Sequence, residues 1–298
     1  MKKNKFNNTA GITLIEIMIG VIISAIMMGA MYTTYSVVNN SYSQVTDRAK
    51  ISRSGRDIIA MLMRDIRLAG FKYHLGTNAS GISTQDDLQY VGGNSSIGDS
   101  HDPIIVVENE LGYSAEDDVS KNNTTDDLCC DKIHIVYGDF NQNDATQPYK
   151  RYKVTYYALP SSNGDDKYYA VYKSKESWIQ TDEDLTGSWV KDCTECFTGE
   201  LIRDHLVDME FIVFDNQGRI ISPPPRPDNS SRKDLYNIKI VDVRLTFRSK
   251  REFFRAEAQE GKPRLVKGLG DRTAEFFDKF LRDSIVVTVH TRNIGAGS

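Results

Sequence analysis

Between Gly11 and Val38 the chain reads GITLIEIMIGVIISAIMMGAMYTTYSVV, an apolar run broken by one formal charge, Glu16. Helical residues rise about 1.5 Å each, and roughly 20 of them cross a bilayer core of about 30 Å, so the run is long enough to span a membrane. The polar positions that follow do not end the helix. No proline occurs before Pro103, and the pattern continues to Gly70, a residue suited to the left-handed conformation that closes helices. Val38, Tyr42, Val45 and Ala49 share one side of a helical wheel. Ile51, Ile58, Ile59, Leu62, Ile66 and Ala69 fill an arc of about 100° on nearly the opposite side, with Arg53, Arg56, Arg64 and Arg67 turned away from it. The pattern predicts one helix over 12–70, membrane-spanning in 12–38, that exchanges one packing partner for another along its length and carries a globular domain on its second stripe. Unbroken, Ile12 to Ala69 would measure about 87 Å, too long for burial inside one ordinary domain.

After Phe71 the periodicity shortens. Residues 76–102 are rich in Gly, Ser, Asn and Asp and read as an extended loop or a set of turns. A short apolar strand is expected at Pro103 to Val107, and strands with one face apolar at period two at Ile133 to Tyr137, Tyr152 to Ala158, Tyr168 to Tyr172, Val207 to Phe214, Lys239 to Phe247 and Ile285 to Thr291. Asn216, Gln217 and Gly218 make a tight turn back into Ile220, and PPPRPDNSS at 223–231 is loop. Arg251 to Arg282 reads as partly helical and inserted. A long helix followed by antiparallel strands is an α+β pattern: the N-terminal helix packs on one face of a sheet, and 71–298 form a β-rich domain.

Glu16 contradicts the hydropathy around it. A carboxylate near the centre of a spanning helix costs about 2.5 to 3.5 kcal/mol on insertion scales, which makes it a functional candidate. The nearby cations, Lys2, Lys3 and Lys5, all precede Gly11, and no further base follows until Arg48. A cation from another molecule, or a chain end, is implied. Within the run, Gly20, Ser24, Ala25, Gly29 and Ala30 place small residues at spacings that let helix backbones approach closely in lipid. The leader MKKNKFNNTAG is short and basic, and no A-x-A-like trio follows Val38, so the order differs from a secretory signal.

A basic leader, a glycine and then G-I-T-L-I-E followed by apolar residues resembles the type IV prepilin signal. The resemblance implies that a membrane peptidase cuts between Gly11 and Ile12 and methylates the new N-terminus at Ile12, after which the helix becomes part of a filament core. It also assigns Glu16 to assembly, as the family's core glutamate that pairs with the N-terminal amine of a neighbouring subunit. Ile12 departs from the family's more common phenylalanine. The helix-breaking proline of major pilins is missing where this chain reads M-Y-T-T-Y, which points to a minor or initiating subunit. Two further strings, RDIRLAGF at 64–71 and VTVHTRN at 287–293, are similar to PilW-type minor pilins. Such a protein would be a non-enzymatic, single-pass inner-membrane subunit without a cofactor, incorporated into an extracellular pilus to prime assembly or form the tip. Its partners would be other major and minor pilins, the prepilin peptidase, the pilus assembly platform and a tip adhesin. A J-type pseudopilin of type II secretion shares the same plan, and an adhesin or DNA-uptake subunit is a further alternative.

Composition bounds the remaining chemistry. The chain of 298 residues has a formal net charge of -4, and losing the leader lysines makes it more negative still, which argues against a dedicated nucleic-acid binder. Charge is uneven, with Asp86 to Asp131 acidic and Arg226 to Arg282 basic: two solvated faces of one domain, or a contact with a partner. His74, His101, His134, His205 and His290 are scattered and expected at strand or loop surfaces, and no hydrolase, zinc-protease or phosphate-loop motif occurs. Asp139, Asn141 and Asn143 have the opening spacing of a calcium loop, but Asp144 and Lys150 stand where that loop needs Gly and Glu, so they read as a polar turn. The adjacent Cys129 and Cys130 and the pair Cys193-x-x-Cys196 lie in a region expected outside the cytoplasm, where disulfides persist. A metal site and a redox-active C-x-x-C are the alternatives. On chain entropy a bond linking the two pairs across the domain is expected, worth roughly 4 kcal/mol against roughly 2 for a local one.

Overall fold

The computed structural model describes residues 13–71, 102–109, 129–140, 149–161, 168–180, 187–225, 232–252, 264–269 and 272–294. It divides into two units, Met1–Asp47 and Arg48–Ser298, and helix α1 (Leu14–Leu68) contributes to both. In the first unit every Ile, Leu, Met, Val and Tyr from Leu14 to Val45 is more than half exposed. Among the described residues α1 is the one helix long and apolar enough to cross a membrane. A helix apolar all round needs a covering that this unit does not itself supply.

The second unit is built on the other part of α1. Ile51, Ile58, Ile59, Leu62, Ile66 and Ala69 are buried, as the sequence arc requires, while Arg53, Arg56, Arg64 and Arg67 are exposed. Burying an aliphatic side chain of this size contributes about 1.5 to 3 kcal/mol, so the arc suffices to fix this part of the helix on the sheet. Gly55 lies in the same arc. A Cβ there would stand 2.3 Å from Cδ1 of Ile285, so the glycine permits close approach of helix to sheet. The helix ends at Gly70, which adopts φ +71° and donates its N–H to Val136 O at 2.9 Å. This is the left-handed closing residue the sequence predicts.

The sheet has eight antiparallel strands. In chain order they are β1 (Ile104–Val107), β2 (Lys132–Phe140), β3 (Tyr149–Pro160), β4 (Tyr169–Gln180), β5 (Gly187–Val190), β6 (Phe197–Phe214), β7 (Ile240–Glu252) and β10 (Phe280–His290). Their spatial order is β1-β2-β3-β4-β6-β7-β10, with β5 paired to the end of β4. Alternation places Ile133 and Ile135 of β2, Val154 and Tyr156 of β3, Met209 and Phe211 of β6 and Val243 and Leu245 of β7 in one core with the buried stripe of α1. The expected α+β arrangement, a long N-terminal helix on an antiparallel sheet, is therefore present. Register shifts interrupt the pairing of β6 with both neighbours and of β7 with β10, and bulges of this kind curl a sheet.

Two expectations need correction. Where the region expected to be partly helical, 251–282, is described, it contains strands: the end of β7, a two-stranded hairpin of β8 (Arg264–Lys267) and β9 (Thr273–Phe276), and the start of β10, while 253–263, 270 and 271 lie outside the described residues. Each hairpin strand is four residues long, too short for a period-two pattern to stand out. β6 also starts ten residues earlier than Val207, at Phe197, because its first half is solvent-facing and mixed in polarity. A short turn of helix, α2 (Arg232–Leu235), follows the proline-rich loop. Residues 76–101 of the loop expected at 76–102, and the whole leader at 1–11, lie outside the described residues.

Candidate functional site

The first described residues of the apolar run form a capped helix start. Thr13 precedes Leu14, the first residue of α1, and Glu16 sits in the first turn. One carboxylate oxygen of Glu16, Oε2, accepts from both the backbone N–H and the hydroxyl of Thr13, each at 2.9 Å. T-L-I-E thus makes the glutamate half of a T-x-x-E capping box, in which the glutamate satisfies a backbone donor that the helix leaves unpaired, while the Thr13 hydroxyl donates to the same carboxylate. Glu16, expected from the sequence to need a cation, thus also has a local partner in Thr13. Its other oxygen, Oε1, makes no hydrogen bond among the described residues. Gly11 and Ile12, the expected cleavage and methylation positions, lie outside the described residues.

Along the apolar run the polar side chains turn inward to their own backbone. Ser24 donates to Gly20 O at 2.8 Å, and Thr33 and Thr34 both donate to Ala30 O at 2.9 Å. Hydroxyls satisfied in this way can face lipid or another apolar helix without an unpaired donor. A Cβ at Gly20 or Gly29 would meet nothing within 4 Å, so no contact among the described residues requires glycine there.

In the second unit the helix is tied to the sheet by a buried polar cluster that the sequence analysis missed. Asp65, 1% exposed, accepts from the Tyr156 hydroxyl at 2.7 Å and from Lys173 Nζ at 2.7 Å, both at Oδ2, while Arg64 Nε reaches Oδ1 at 3.3 Å. Burial, and then the adjacent Asp65 carboxylate, hold the Tyr156 hydroxyl well above the ordinary tyrosine range, so it remains a donor. The signal available in sequence was a carboxylate inside the apolar arc, three residues after Leu62 and one before Ile66.

The four cysteines pair locally: Cys129 with Cys130, through a cis peptide, and Cys193 with Cys196. The expected cross-link between the pairs is overturned by the sheet. Asp131 N–H donates to Met209 O at 2.7 Å, which sets Cys129 and Cys130 beside the second half of β6, whereas Cys193 and Cys196 form the turn before Phe197. From Phe197 to Met209 the extended chain covers roughly 40 Å, while a disulfide tolerates Cα separations of up to about 7 Å. The turn itself brings Cys193 and Cys196 together, with Cys196 N–H donating to Cys193 O at 3.0 Å and a Cα separation of 4.9 Å.

The remaining candidates stay apart. His134 is buried rather than at the surface, its Nδ1 2.8 Å from Thr155 Oγ1; His205 lies against Tyr168 with its ring tilted by 33°; His290 is exposed at the end of β10. His74, His101, Asn141, Asn143 and Asp144 lie outside the described residues.

The comparisons with known proteins bear on the N-terminal segment. No curated protein sequence matches the chain. Among solved structures, the chain is similar to a type IV-like pilin from Thermus thermophilus, at 9% identity and a TM-score of 0.38, over 82% of this chain and 98% of that one. A family model described as the prokaryotic N-terminal methylation motif matches residues 6–32, which include Gly11, Ile12, Thr13 and Glu16. The chain therefore carries the prokaryotic N-terminal methylation motif, and it carries it on the one described helix that is long and apolar enough to cross a membrane.

Proposed function

We propose that this chain is a type IV prepilin whose mature form is a PilW-type minor pilin. The observation that carries this reading is the methylation motif at 6–32, which straddles a basic leader, Gly11 and the start of an uncovered apolar helix. Residues 1–11 are the leader, 12–70 the helix with its span in 12–38, and 71–298 a domain outside the cytoplasmic membrane. Cleavage after Gly11 frees the amine of Ile12 for methylation. The Thr13 cap holds Glu16 through one oxygen and leaves Oε1 to receive the amine of a neighbouring subunit, where lipid or packed helices make that ion pair far stronger than in water. The apolar surface serves twice, first against lipid in the inner membrane and then against other pilin helices, with Gly20 and Gly29 admitting close approach. The role is structural: partners are the prepilin peptidase, the assembly platform and other pilins, and the cysteine pairs staple the domain rather than turn over substrate. Pili sheared from the native host should contain the processed chain in amounts well below the major pilin. A deletion strain that keeps its pili and loses protein secretion would assign the chain to a secretion pseudopilus instead.

A further inference from the structure

The two edges of the sheet are finished differently. At one edge β1 is four residues long, and Ile104, Ile105 and Val106 are buried. At the other edge β10 is eleven residues long and pairs with β7 on one side, with no strand on its other side among the described residues. The register runs without a shift from Arg282, opposite Arg248, to His290, opposite Ile240, and Thr291 N–H donates to Lys239 O at 2.9 Å. That bond makes His290 and Ile240 a pair that does not exchange hydrogen bonds, so the N–H and C=O of His290 point away from β7. Alternation gives the same outward direction to Thr288, Val286 and Ser284. These residues present their N–H and C=O groups along an edge of roughly 20 Å, and none of those groups is bonded to another backbone group among the described residues.

Exposed edges of natural sheets are guarded by charge, proline or a bulge. In β10 these guards stop early: the register shift lies between Phe280 and Arg282, and the charged residues are Arg282 and Asp283. From Ser284 to Val289 the strand reads SIVVTV, uncharged and rich in β-branched residues. On the outer face Ser284, Val286, Thr288 and His290 are exposed, Val286 by 52%. On the face toward α1, Ile285 and Val287 pack on the core but stay only half-buried. A strand laid along this edge would set alternate side chains beside Ile285 and Val287 and complete their burial.

We propose that the second half of β10 is a docking edge that takes one extended segment from another protein, about seven residues long, uncharged and apolar at every second position. The hydrogen-bond pattern selects the conformation, since another strand matches donors and acceptors repeated at every second residue. The lack of charge from Ser284 to Val289, and the half-buried Ile285 and Val287, select the side chains. A second copy of this chain fits poorly. β10 runs in the same direction as α1, with Ile285 against Gly55 and Asn293 Nδ2 donating to Arg67 O at 3.1 Å. Antiparallel pairing of two β10 edges would therefore point the two α1 helices in opposite directions, whereas copies anchored in one membrane by that helix point the same way; this step rests on the membrane reading proposed above. Parallel pairing of the two edges would turn one sheet over, so that Ile285 and Val287 of one copy meet the solvent-facing residues of the other.

The test is residue-resolved hydrogen–deuterium exchange of the full chain in detergent, alone and with a peptide of alternating valine and threonine between terminal lysines at millimolar concentration. Alone, the amides of Val286 and Thr288 should exchange freely, while those of Ile285 and Val287, which face β7, are protected. The peptide should slow Val286 and Thr288 by about tenfold, and the same peptide with its central backbone nitrogens methylated should leave them unchanged. Val286→Pro removes an outward N–H that no bond among the described residues uses, so the variant should unfold at the wild-type temperature and lose the peptide effect at Thr288. In the native host, a photo-crosslinking side chain at position 288 should join an uncharged segment of another protein with apolar residues at every second position. Protection of Val286 and Thr288 in the chain alone, an equal effect of the methylated peptide, slowing throughout the sheet or nowhere, or crosslinks to a second copy alone or to nothing would each overturn the proposal. The mature N-terminus tests the membrane reading separately, so the failure of one is distinguishable from the failure of the other.

Discussion

The Tyr156 hydroxyl on β3 donates to Oδ2 of Asp65 on α1 at 2.7 Å, joining helix and sheet across 91 residues of sequence. Lys173 of β4 meets the same oxygen at 2.7 Å, so one buried carboxylate collects donors from two neighbouring strands. Asp65→Asn leaves the Lys173 ammonium buried without its counter-charge and is expected to cost about 3 kcal/mol. Tyr156→Phe removes one hydrogen bond and keeps the ring, at a cost of roughly 1.5 kcal/mol. Thermal unfolding of the full chain in detergent, followed by circular dichroism, checks both; equal effects of the two variants would show that Lys173 does not depend on Asp65.

Gly70 is the second joint between helix and sheet. Its φ of +71° disfavours any side chain, and a Cβ would stand 3.2 Å from Ile294 Cγ1. Gly70→Ala should therefore destabilise by more than the about 1 to 2 kcal/mol of left-handed strain alone. Gly218, with φ +75° and open space around it, supplies the control. Gly218→Ala should cost only the strain, and a larger loss at Gly218 than at Gly70 would contradict the role given to helix-end packing.

Local pairing of the cysteines has a direct chemical readout. Non-reducing peptide mapping should recover Cys129 and Cys130 in one oxidised peptide and Cys193 and Cys196 in another, never joined. A disulfide-linked species containing both would contradict the separation along β6.

The parts of this fold legible in the sequence are those with local periodicity. Ile51 to Ala69 announce their face because several apolar residues recur at helical spacing, and the centres of β2, β3, β7 and β10 alternate cleanly. Gly70 is readable because few other residues close a helix as well. What escaped depends on contacts distant in sequence. Asp65 looks like a misplaced charge until Tyr156 and Lys173 arrive, and the hairpin of Arg264–Lys267 with Thr273–Phe276 is held by Asp131 and Glu210 rather than by its own pattern. The entropy argument for a cross-domain disulfide favoured the longer loop, but the length of β6 decides which sulfurs can meet. At the candidate site, Glu16 stood out on hydropathy, whereas its bond to Thr13 required recognising T-L-I-E as a cap.

Glu16 is expected to act in assembly and not in folding of the second unit. Glu16→Ala should insert in the membrane and keep the thermal unfolding of the wild type, yet reach pili poorly; losing about 1.4 kcal/mol of subunit pairing already lowers incorporation roughly tenfold. Wild-type amounts of the variant in sheared pili would contradict the pairing of Glu16 with a neighbour's amine.

The central claim, that the chain is a prepilin processed at the end of its basic leader, is tested most directly by N-terminal sequencing and mass analysis of the mature protein from its native host. The account predicts a chain that begins at N-methylated Ile12. A mature chain that still begins at Met1, or that begins beyond residue 30, would contradict it.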